Sequence, residues 1–448
     1  MKILFTVIPA AGHLNPTIPI AQALQQRGHE ILYATGREKI ALLNRIGIPT
    51  HLILPGKADS IEQVYEPIQD YLNSYNPYHI YLEIDYLLNF MLAVMEELQE
   101  LADRWKPDII VSDFCTPVGA ALAKKLGIPW VTTTPTPACI RTRKGTPSNL
   151  GGLSLPRHWG HHLRDFGGRL LLEILRSGLS FAFQKRWNEL GLTINGPNYS
   201  DGLYSPYAIL CLVPGELEYP RDWPRQCHAI GSISWSESHQ IRPEDWQFLQ
   251  SPRPKILVTM GTHHRDEKSL LFPKLVKWLE SLPYRFLFTW GGSSPLVEAE
   301  TPSNHIQFTP YVPYSEVLKY VDAVIHHGGA GITCSCLTMG RPALVIPQGF
   351  DQPDNAQRVV ELGAGIRLNP RHLTQKTLCQ AVENLLQNPT YQEQTRRLSE
   401  AIAGHYSPVE NAVAIIETVG RTHQPLYRTS TPLSCHTWSS VMTSRVNA

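Results

Sequence analysis

No Asp-x-Asp pair occurs anywhere in the chain. Proteins that hold a diphosphate through Mg²⁺ or Mn²⁺ commonly present carboxylates in that pattern, so the commonest metal-held phosphate site is missing. None of the 8 cysteines forms a Cys-x-x-Cys pair, which argues against a zinc knuckle or a dithiol redox motif; free thiols in a reducing compartment are the plainer reading. An excess of charge of one sign is missing too. With 40 Lys+Arg against 39 Asp+Glu the formal net charge is +1, unlike the basic surplus of a nucleic-acid binder. Long apolar runs are absent. Leu87–Met95 is interrupted by Asn89 and is far too short to span a bilayer. The opening run Ile3–Ile8 is stopped by Pro9, and the residues beyond it read as a helix of the folded domain rather than a cleavage region. A cytoplasmic protein is expected, with contact to a membrane surface left open. No tandem repeat of short period is present.

What is present is an alternation of buried-strand and helix patterns. The 448 residues, 42% hydrophobic, suffice for two or three domains with sizeable cores. Ile3–Ile8 is a continuous apolar run, as in a parallel strand covered on both faces. Over 15–27, Ile18, Ala21 and Leu24 fall at helical spacing; Asn15 is placed to cap, Pro16 to sit in the first turn and Gly28 to stop the helix. Strand patterns return at 31–35, 108–113, 127–131 and 207–213, with a helix over 120–126. A βαβ series of this kind implies a doubly wound parallel sheet, expected over residues 1–213. Residues 214–254, rich in Pro, Trp and charge, read as an interdomain linker. A second series opens at 255–261 and continues at 285–290, 323–327 and 343–346, giving a second domain over 255–420 with a closing helix near 411–419. From about 421 to 448 the chain is rich in Ser and Thr and is expected to be a disordered tail. Residues 140–170 carry Arg141, Arg143, Lys144, Arg157, Arg164 and Arg169 against Asp165 alone. They read as a long surface loop, with anionic lipid heads as the alternative contact.

Open α/β sheets bind ligands beyond the carboxyl ends of their strands, and the reactive residues collect there. The first strand leads into Pro-Ala-Ala-Gly-His-Leu-Asn-Pro, with Gly12 and His13; the 108–113 strand ends in Asp113. A histidine and an aspartate at neighbouring strand ends suit a base and its orienter; a capping pair stands beside that reading. In the second half, His326-His327-Gly-Gly-Ala-Gly-Ile-Thr leaves a strand and opens a helix, with Gly340 as its stop. Gly329, Ala330, Gly331 and Ile332 present backbone N–H groups at a helix start, where the dipole favours an anion, and His327 adds a donor. The alternative is a turn needed only for tight packing. Asp351 and Gln352 follow another strand and suit sugar hydroxyls, or simply a polar turn. Cys334 and Cys336, two apart on a helix, do not share a face. His158, His161 and His162 lack a further ligand at useful spacing and read as loop residues. Tyr65, Tyr71, Tyr75, Tyr78, Tyr81 and Tyr86 suit a ring-bearing acceptor, although most are expected to pack helices.

Taken together these motifs resemble the family 1 glycosyltransferases, in particular the macrolide, glycopeptide and sterol transferases. The match is carried by Tyr-Val-Pro at 311–313, His-His-Gly-Gly-Ala-Gly at 326–331, Gly-x-Pro at 340–342 and Asp-Gln-Pro-x-Asn-Ala at 351–356, and by the segments around His13 and Asp113. The resemblance implies a GT-B architecture: two Rossmann-like domains facing across a cleft, with the closing helix crossing back to the first. It implies inverting, metal-independent transfer of a hexose, glucose foremost, from a nucleotide diphosphate to a hydroxyl of a small apolar acceptor of phenolic, sterol, macrolide or carotenoid-like type. UDP-glucose is the expected donor and a dTDP-sugar the alternative; no cofactor is implied. His13 is the implied base and Asp113 its partner. Tyr311 falls where the family stacks an aromatic on the nucleobase, with the Val312 backbone at the base edge. Thr262, His327 and the N–H groups from Gly329 to Ile332 would hold the diphosphate, and Asp351 and Gln352 the sugar. Ser335 stands where a ribose-gripping glutamate is common and Tyr314 where a glutamine is. A sugar-nucleotide epimerase and an inactive sugar-nucleotide-binding paralogue are the competing readings.

Overall fold

The computed structural model describes residues 1–65, 67, 76–192, 203–237, 240–261, 265–291 and 304–428. Two wholly parallel sheets form its frame. The first holds β1 (Lys2–Thr6), β2 (Glu30–Thr35), β3 (Thr50–Leu52), β4 (Ile109–Asp113), β5 (Trp130–Thr134), β6 (Ala208–Cys211) and β7 (Cys227–Ala229), in the order β3-β2-β1-β4-β5-β6-β7. The second holds β8 (Lys255–Thr259), β9 (Arg285–Thr289), β10 (Ile306–Thr309), β11 (Ala323–His326), β12 (Ala343–Val345) and β13 (Gly365–Arg367), in the order β10-β9-β8-β11-β12-β13. In each sheet the chain winds outward to one side and then returns to the other. The reversal lies between β1 and β4 in the first sheet and between β8 and β11 in the second, which are the places where such sheets leave a crevice for ligand. Pairing sets Thr6 opposite Ser112 and Thr259 opposite His326, so the loops that follow each pair emerge side by side.

The central strands read as apolar runs because both faces are covered: Ile3, Leu4 and Phe5 are fully buried, as are Ile110 and Val111. The second sheet repeats this with Leu257, Val258, Val324 and Ile325. The short edge strands β3, β7, β10 and β13 lack such a run and carry no strand signal in the sequence. One cluster of buried side chains is continuous between the halves, joining Ile209, Leu217 and Tyr219 to Val324, Leu337 and Val359. The helix Pro408–Thr422 packs Ala412, Val413, Ile416 and Val419 against Ile3, Phe5 and Leu24 of the first sheet's layer.

Several elements differ from the sequence reading. The chain is already helical at Ala11–Leu14 and passes through a 3₁₀ turn, Asn15–Thr17, into the helix Ile18–Gln26; Asn15 is therefore the C-cap of the first short helix, and Thr17, not Asn15, precedes the longer one. The expected 140–170 loop ends at residue 158, and Trp159–Ala182 is a helix of 24 residues that includes His161 and His162. Its four glycines and dense charge conceal the period. Within 214–254 lie β7, paired with β6, and a helix, Pro243–Leu249. Order also extends past residue 421: Leu426 N–H donates to Tyr207 O at 2.8 Å and Arg428 N–H to Arg225 O at 2.9 Å. The rest of the expected tail, 429–448, lies outside the described residues.

The two halves meet along the helix Gln352–Glu361. Arg358 is fully buried there and donates from Nη2 to Glu218 Oε2 and to Ser148 Oγ, each at 3.2 Å, with its guanidinium 4.5 Å from the Tyr219 ring centroid. Asn149 N–H donates to Asp354 Oδ2 at 2.8 Å, and Arg367 donates to the carbonyl of Gly151. Gly152 has φ +77°, and a Cβ on it would sit 2.0 Å from the Pro353 carbonyl oxygen; no other residue fits this crossing. Arg358→Ala should leave buried Glu218 with only the more distant Arg221, at 4.0 Å, and cost up to about 3–5 kcal/mol, seen as a lower urea midpoint. The same change at Arg396, whose partners lie on the surface, should leave the midpoint unchanged.

Candidate active site

The reversal between β1 and β4 brings two predicted residues together. His13 Nδ1 lies 3.0 Å from Asp113 Oδ2 and 3.1 Å from Oδ1. Asp113 is the last residue of β4, its side chain wholly buried, and its Oδ1 also accepts the Cys115 N–H at 2.9 Å. Thr116 ties the strand ends by donating to Thr6 O at 2.7 Å. Held this way, Asp113 directs Nδ1–H toward itself and leaves His13 Nε2 as the basic nitrogen. Phe114 lies against the imidazole at 5.6 Å between centroids, and Tyr204 against Phe114 at 6.5 Å. Burial of the ring opposes protonation, but the charge and hydrogen bond of Asp113 and the charge of Asp351 outweigh it, so the His13 pKa is raised above 6.5. Gly12 is exposed at the rim, and a Cβ there would meet nothing within 4 Å.

The reversal between β8 and β11 gathers the second group. Gly328, at φ +94°, turns the chain out of β11, and Gly329 is the N-cap of the helix Ala330–Thr338. The His327 ring is lodged where only glycine fits: a Cβ at Gly261 would be 2.6 Å from Nε2 of His327, and one at Gly329 2.4 Å from it. Ala330, Gly331 and Ile332 form the first turn, Ile332 buried and Gly331 exposed with open space around it. Their N–H groups begin a helix whose dipole points positive end outward. His326 beside them is fully buried and accepts the Gly328 N–H at 3.0 Å; burial pulls its pKa down to about 3, so it stays neutral. Tyr311 is half-exposed and donates to Ser236 Oγ at 2.8 Å, while Val312 is buried. Tyr314 is partly buried, its hydroxyl 3.0 Å from that of Thr259. Thr262 lies outside the described residues.

Asp351 faces both groups. It is the N-cap of the helix Gln352–Glu361, and its Oδ2 accepts from Asn355 Nδ2 at 2.8 Å and from Thr136 Oγ1, beyond β5 of the other sheet, at 3.3 Å. Burial raises its pKa, opposed by those hydrogen bonds and by the charge of His13. The two titrating groups thus feel each other across the interface. Gln352 is buried, with Oε1 accepting the N–H groups of Gln348 and Gly349, so its oxygen fixes the turn. Between them Phe350 is exposed at φ +51°, a conformation costly for a non-glycine residue and common at functional loops.

Sequence reasoning missed Thr136 and Asn355 as partners of Asp351. Thr136 closely follows a strand end, the one signal that points to it. Tyr65 emerges from the tyrosine-rich stretch as a neighbour of the site: burial, and then the nearby Cys115, push its hydroxyl up to about 12. Tyr81 instead stacks on Phe183 at 4.8 Å, and Tyr71 and Tyr75 lie outside the described residues. His13, Asp113 and Cys115 bring ligand atoms within 4.8 Å of one another. Desolvation and then the charge of Asp113 raise the Cys115 thiol well above its usual pKa, although the residue as a whole is exposed.

The erythromycin biosynthesis protein CIII-like family matches at both ends: its N-terminal domain over residues 22–146 and its C-terminal domain over 293–418. The chain is 25% identical to a 4'-demethylrebeccamycin synthase of Lentzea aerocolonigenes, over 93% of this chain and 99% of that one. It is 24% identical to a demethyllactenocin mycarosyltransferase of Streptomyces fradiae, over 86% of this chain and 79% of that one. In three dimensions it resembles the glycosyltransferase VinC, solved in complex with dTDP, with a TM-score of 0.65 at 19% identity over 94% of this chain and 100% of that one. With two parallel α/β domains and motifs of this kind, the chain belongs to the family 1 glycosyltransferases, in the macrolide-transferase group, and is a glycosyltransferase of GT-B architecture.

Proposed function

We propose that the protein transfers a hexose, glucose foremost, from UDP to a hydroxyl of a small apolar acceptor in one inverting displacement without a metal ion. The observation that carries this reading is the His13–Asp113 pair at one sheet's reversal, electrostatically coupled to Asp351 on the other wall. The acceptor oxygen attacks the anomeric carbon as its proton passes to His13 Nε2. The bond from that carbon to the diphosphate oxygen breaks, and its electron pair leaves with the nucleoside diphosphate. Asp113 stabilises the imidazolium. The departing phosphate is received by the first-turn N–H groups of the helix Ala330–Thr338 and by His327, whose fixed dipoles favour charge developing there. Asp351, with Gln352, reads the sugar hydroxyls. Tyr311 and the Val312 backbone hold the nucleobase, with Gly12 and Thr262 near the phosphates. The absence of any Asp-x-Asp pair supports metal independence.

The likeness to a transferase solved with dTDP favours dTDP as a second reading of the donor base. The names of the relatives support a ring-bearing secondary metabolite as acceptor, and Phe114, Tyr204 and Tyr65 around His13 suit such a surface. Incubation with labelled UDP-glucose or dTDP-glucose and a panel of phenols, sterols, macrolides and carotenoid alcohols should yield a new glycoside. An altered free donor would instead mark an epimerase, and binding without turnover an inactive paralogue.

His13→Ala should lower kcat by about 10²–10⁴-fold while the Kd for UDP, read by calorimetry, holds. In the native protein kcat/KM should fall as pH drops through a value above 6.5, where His13 takes up its proton. Asp113→Asn removes the carboxylate charge that raises this pKa and leaves the effect of burial, so the midpoint should move to lower pH as the plateau falls. A midpoint that does not move would assign the limb to another group. Turnover should persist in EDTA; loss restored by Mg²⁺ would point to a metal-held diphosphate.

A further inference from the structure

The proposed transfer leaves His326 without a task. Its side chain is fully buried at the end of β11. Nδ1 accepts the Gly328 N–H at 3.0 Å, whereas Nε2 is buried and, among the described residues, has no hydrogen-bond partner. A buried donor left unpaired costs stability, and an apolar side chain would fill the same space without that cost. What the histidine adds here is the Nδ1 acceptor. Burial pulls its pKa down to about 3 and keeps the ring neutral, so Nδ1 stays open to the Gly328 N–H throughout the neutral range. The far side of Gly328 is held as well. Asn355 is buried and donates from Nδ2 to the Gly328 carbonyl at 2.9 Å and to Asp351 Oδ2 at 2.8 Å. Both hydrogens of Nδ2 are thereby used, and since both partners are acceptors the amide fits in this orientation alone. Gly328, at φ +94°, lies tight against the helix Gln352–Glu361: a Cβ on it would be 2.9 Å from the Gln352 carbonyl oxygen and 3.0 Å from Val345 Cγ1. A trans peptide is planar, so the bond from Asn355 to the Gly328 carbonyl turns the N–H of Gly329, the N-cap of the helix Ala330–Thr338, away from Asn355.

We propose that His326 and Asn355 are a pair of positioning residues that clamp Gly328 from both sides and so hold the phosphate-receiving helix start in register with Asp351. The proposal rests on the reading of that helix start as the diphosphate pole and of Asp351 as the group that reads the sugar. Those two parts leave different strands, β11 and β12, which lie side by side with His326 opposite Val345. A nucleotide sugar bridges them, with phosphate on one and hexose on the other, and a misplacement of about 1 Å in such a site can cost about 10²-fold. The Asn355 amide spans the same gap in the protein: one of its hydrogens is on the phosphate turn and the other on the Asp351 carboxylate. His326 secures the turn from behind, on the N–H of the residue whose carbonyl Asn355 holds.

Calorimetric titration of the full chain with UDP or dTDP, whichever the native protein binds, and with the glucose conjugate of that nucleotide tests the clamp, with urea unfolding run alongside. His326→Gln moves the acceptor from the Nδ1 position to that of Nε2 and should weaken nucleotide binding about tenfold. His326→Asn, whose Oδ1 falls near the place of Nδ1, should bring affinity back to within about twofold of native. Asn355→Ala should weaken the nucleotide severalfold and its glucose conjugate more, because the link to Asp351 is lost as well. The double variant His326→Gln with Asn355→Ala should bind the nucleotide little worse than the weaker single variant, since both act on one residue. Should His326→Gln unfold, Asn355→Ala decides from the other side of Gly328. Native nucleotide affinity in a folded His326→Gln, His326→Asn no better than His326→Gln, or an Asn355→Ala that weakens nucleotide and conjugate equally would overturn the clamp. A native protein that binds neither nucleotide would instead overturn the reading of the helix start on which the clamp rests.

Discussion

A carboxylate buried at the end of β4 grips one nitrogen of an imidazole just beyond β1, and the proposed chemistry depends on that grip. Asp113 has no exposure of its own and His13 only a little, so the ring's orientation, tautomer and proton affinity are set together. The parallel pairing of β1 with β4, running from Ile3–Ile109 to Thr6–Ser112, brings the two strand ends level. The buried apolar run of each strand therefore acts on the site: it fixes the register, and the register fixes a hydrogen bond of 3.0 Å.

The second wall obeys the same logic with different residues. Where β8 and β11 part, glycines replace side chains, because the His327 ring occupies the space their Cβ atoms would need. What remains is a helix start with its first-turn N–H groups toward the cleft. The walls are joined through the helix Gln352–Glu361: Asp351 at its first end reaches Thr136, and Arg358 farther along is sealed under Tyr219 with Glu218. A helix anchored so firmly keeps Asp351 within electrostatic reach of His13. In the proposed reaction a sugar carried on the phosphates meets the base and the carboxylate at once.

The two parallel sheets and the strand-end location of His13, Asp113, His327 and Asp351 were legible in the sequence, since doubly covered strands and glycine-rich strand-to-helix turns leave strong local patterns; the order of the strands, and with it the reversal points, was not. The edge strands β3, β7, β10 and β13 were not, being three or four residues long and dependent on neighbours far along the chain. The helix over 159–182 escaped because its apolar face does not point inward, so its charges and glycines looked like those of a loop. Thr136 as a partner of Asp351 arises only when the two halves meet, and no local pattern records that contact.

The central claim is that one cleft holds the base and the phosphate pole together. A crystal structure of the protein with bound UDP and a non-transferable sugar analogue tests it most directly. The diphosphate oxygens should accept from the N–H groups of Gly331 and Ile332, with the anomeric carbon facing His13 across a gap that one hydroxyl fills. A diphosphate bound elsewhere, or an anomeric carbon turned away from His13 Nε2, would contradict the account.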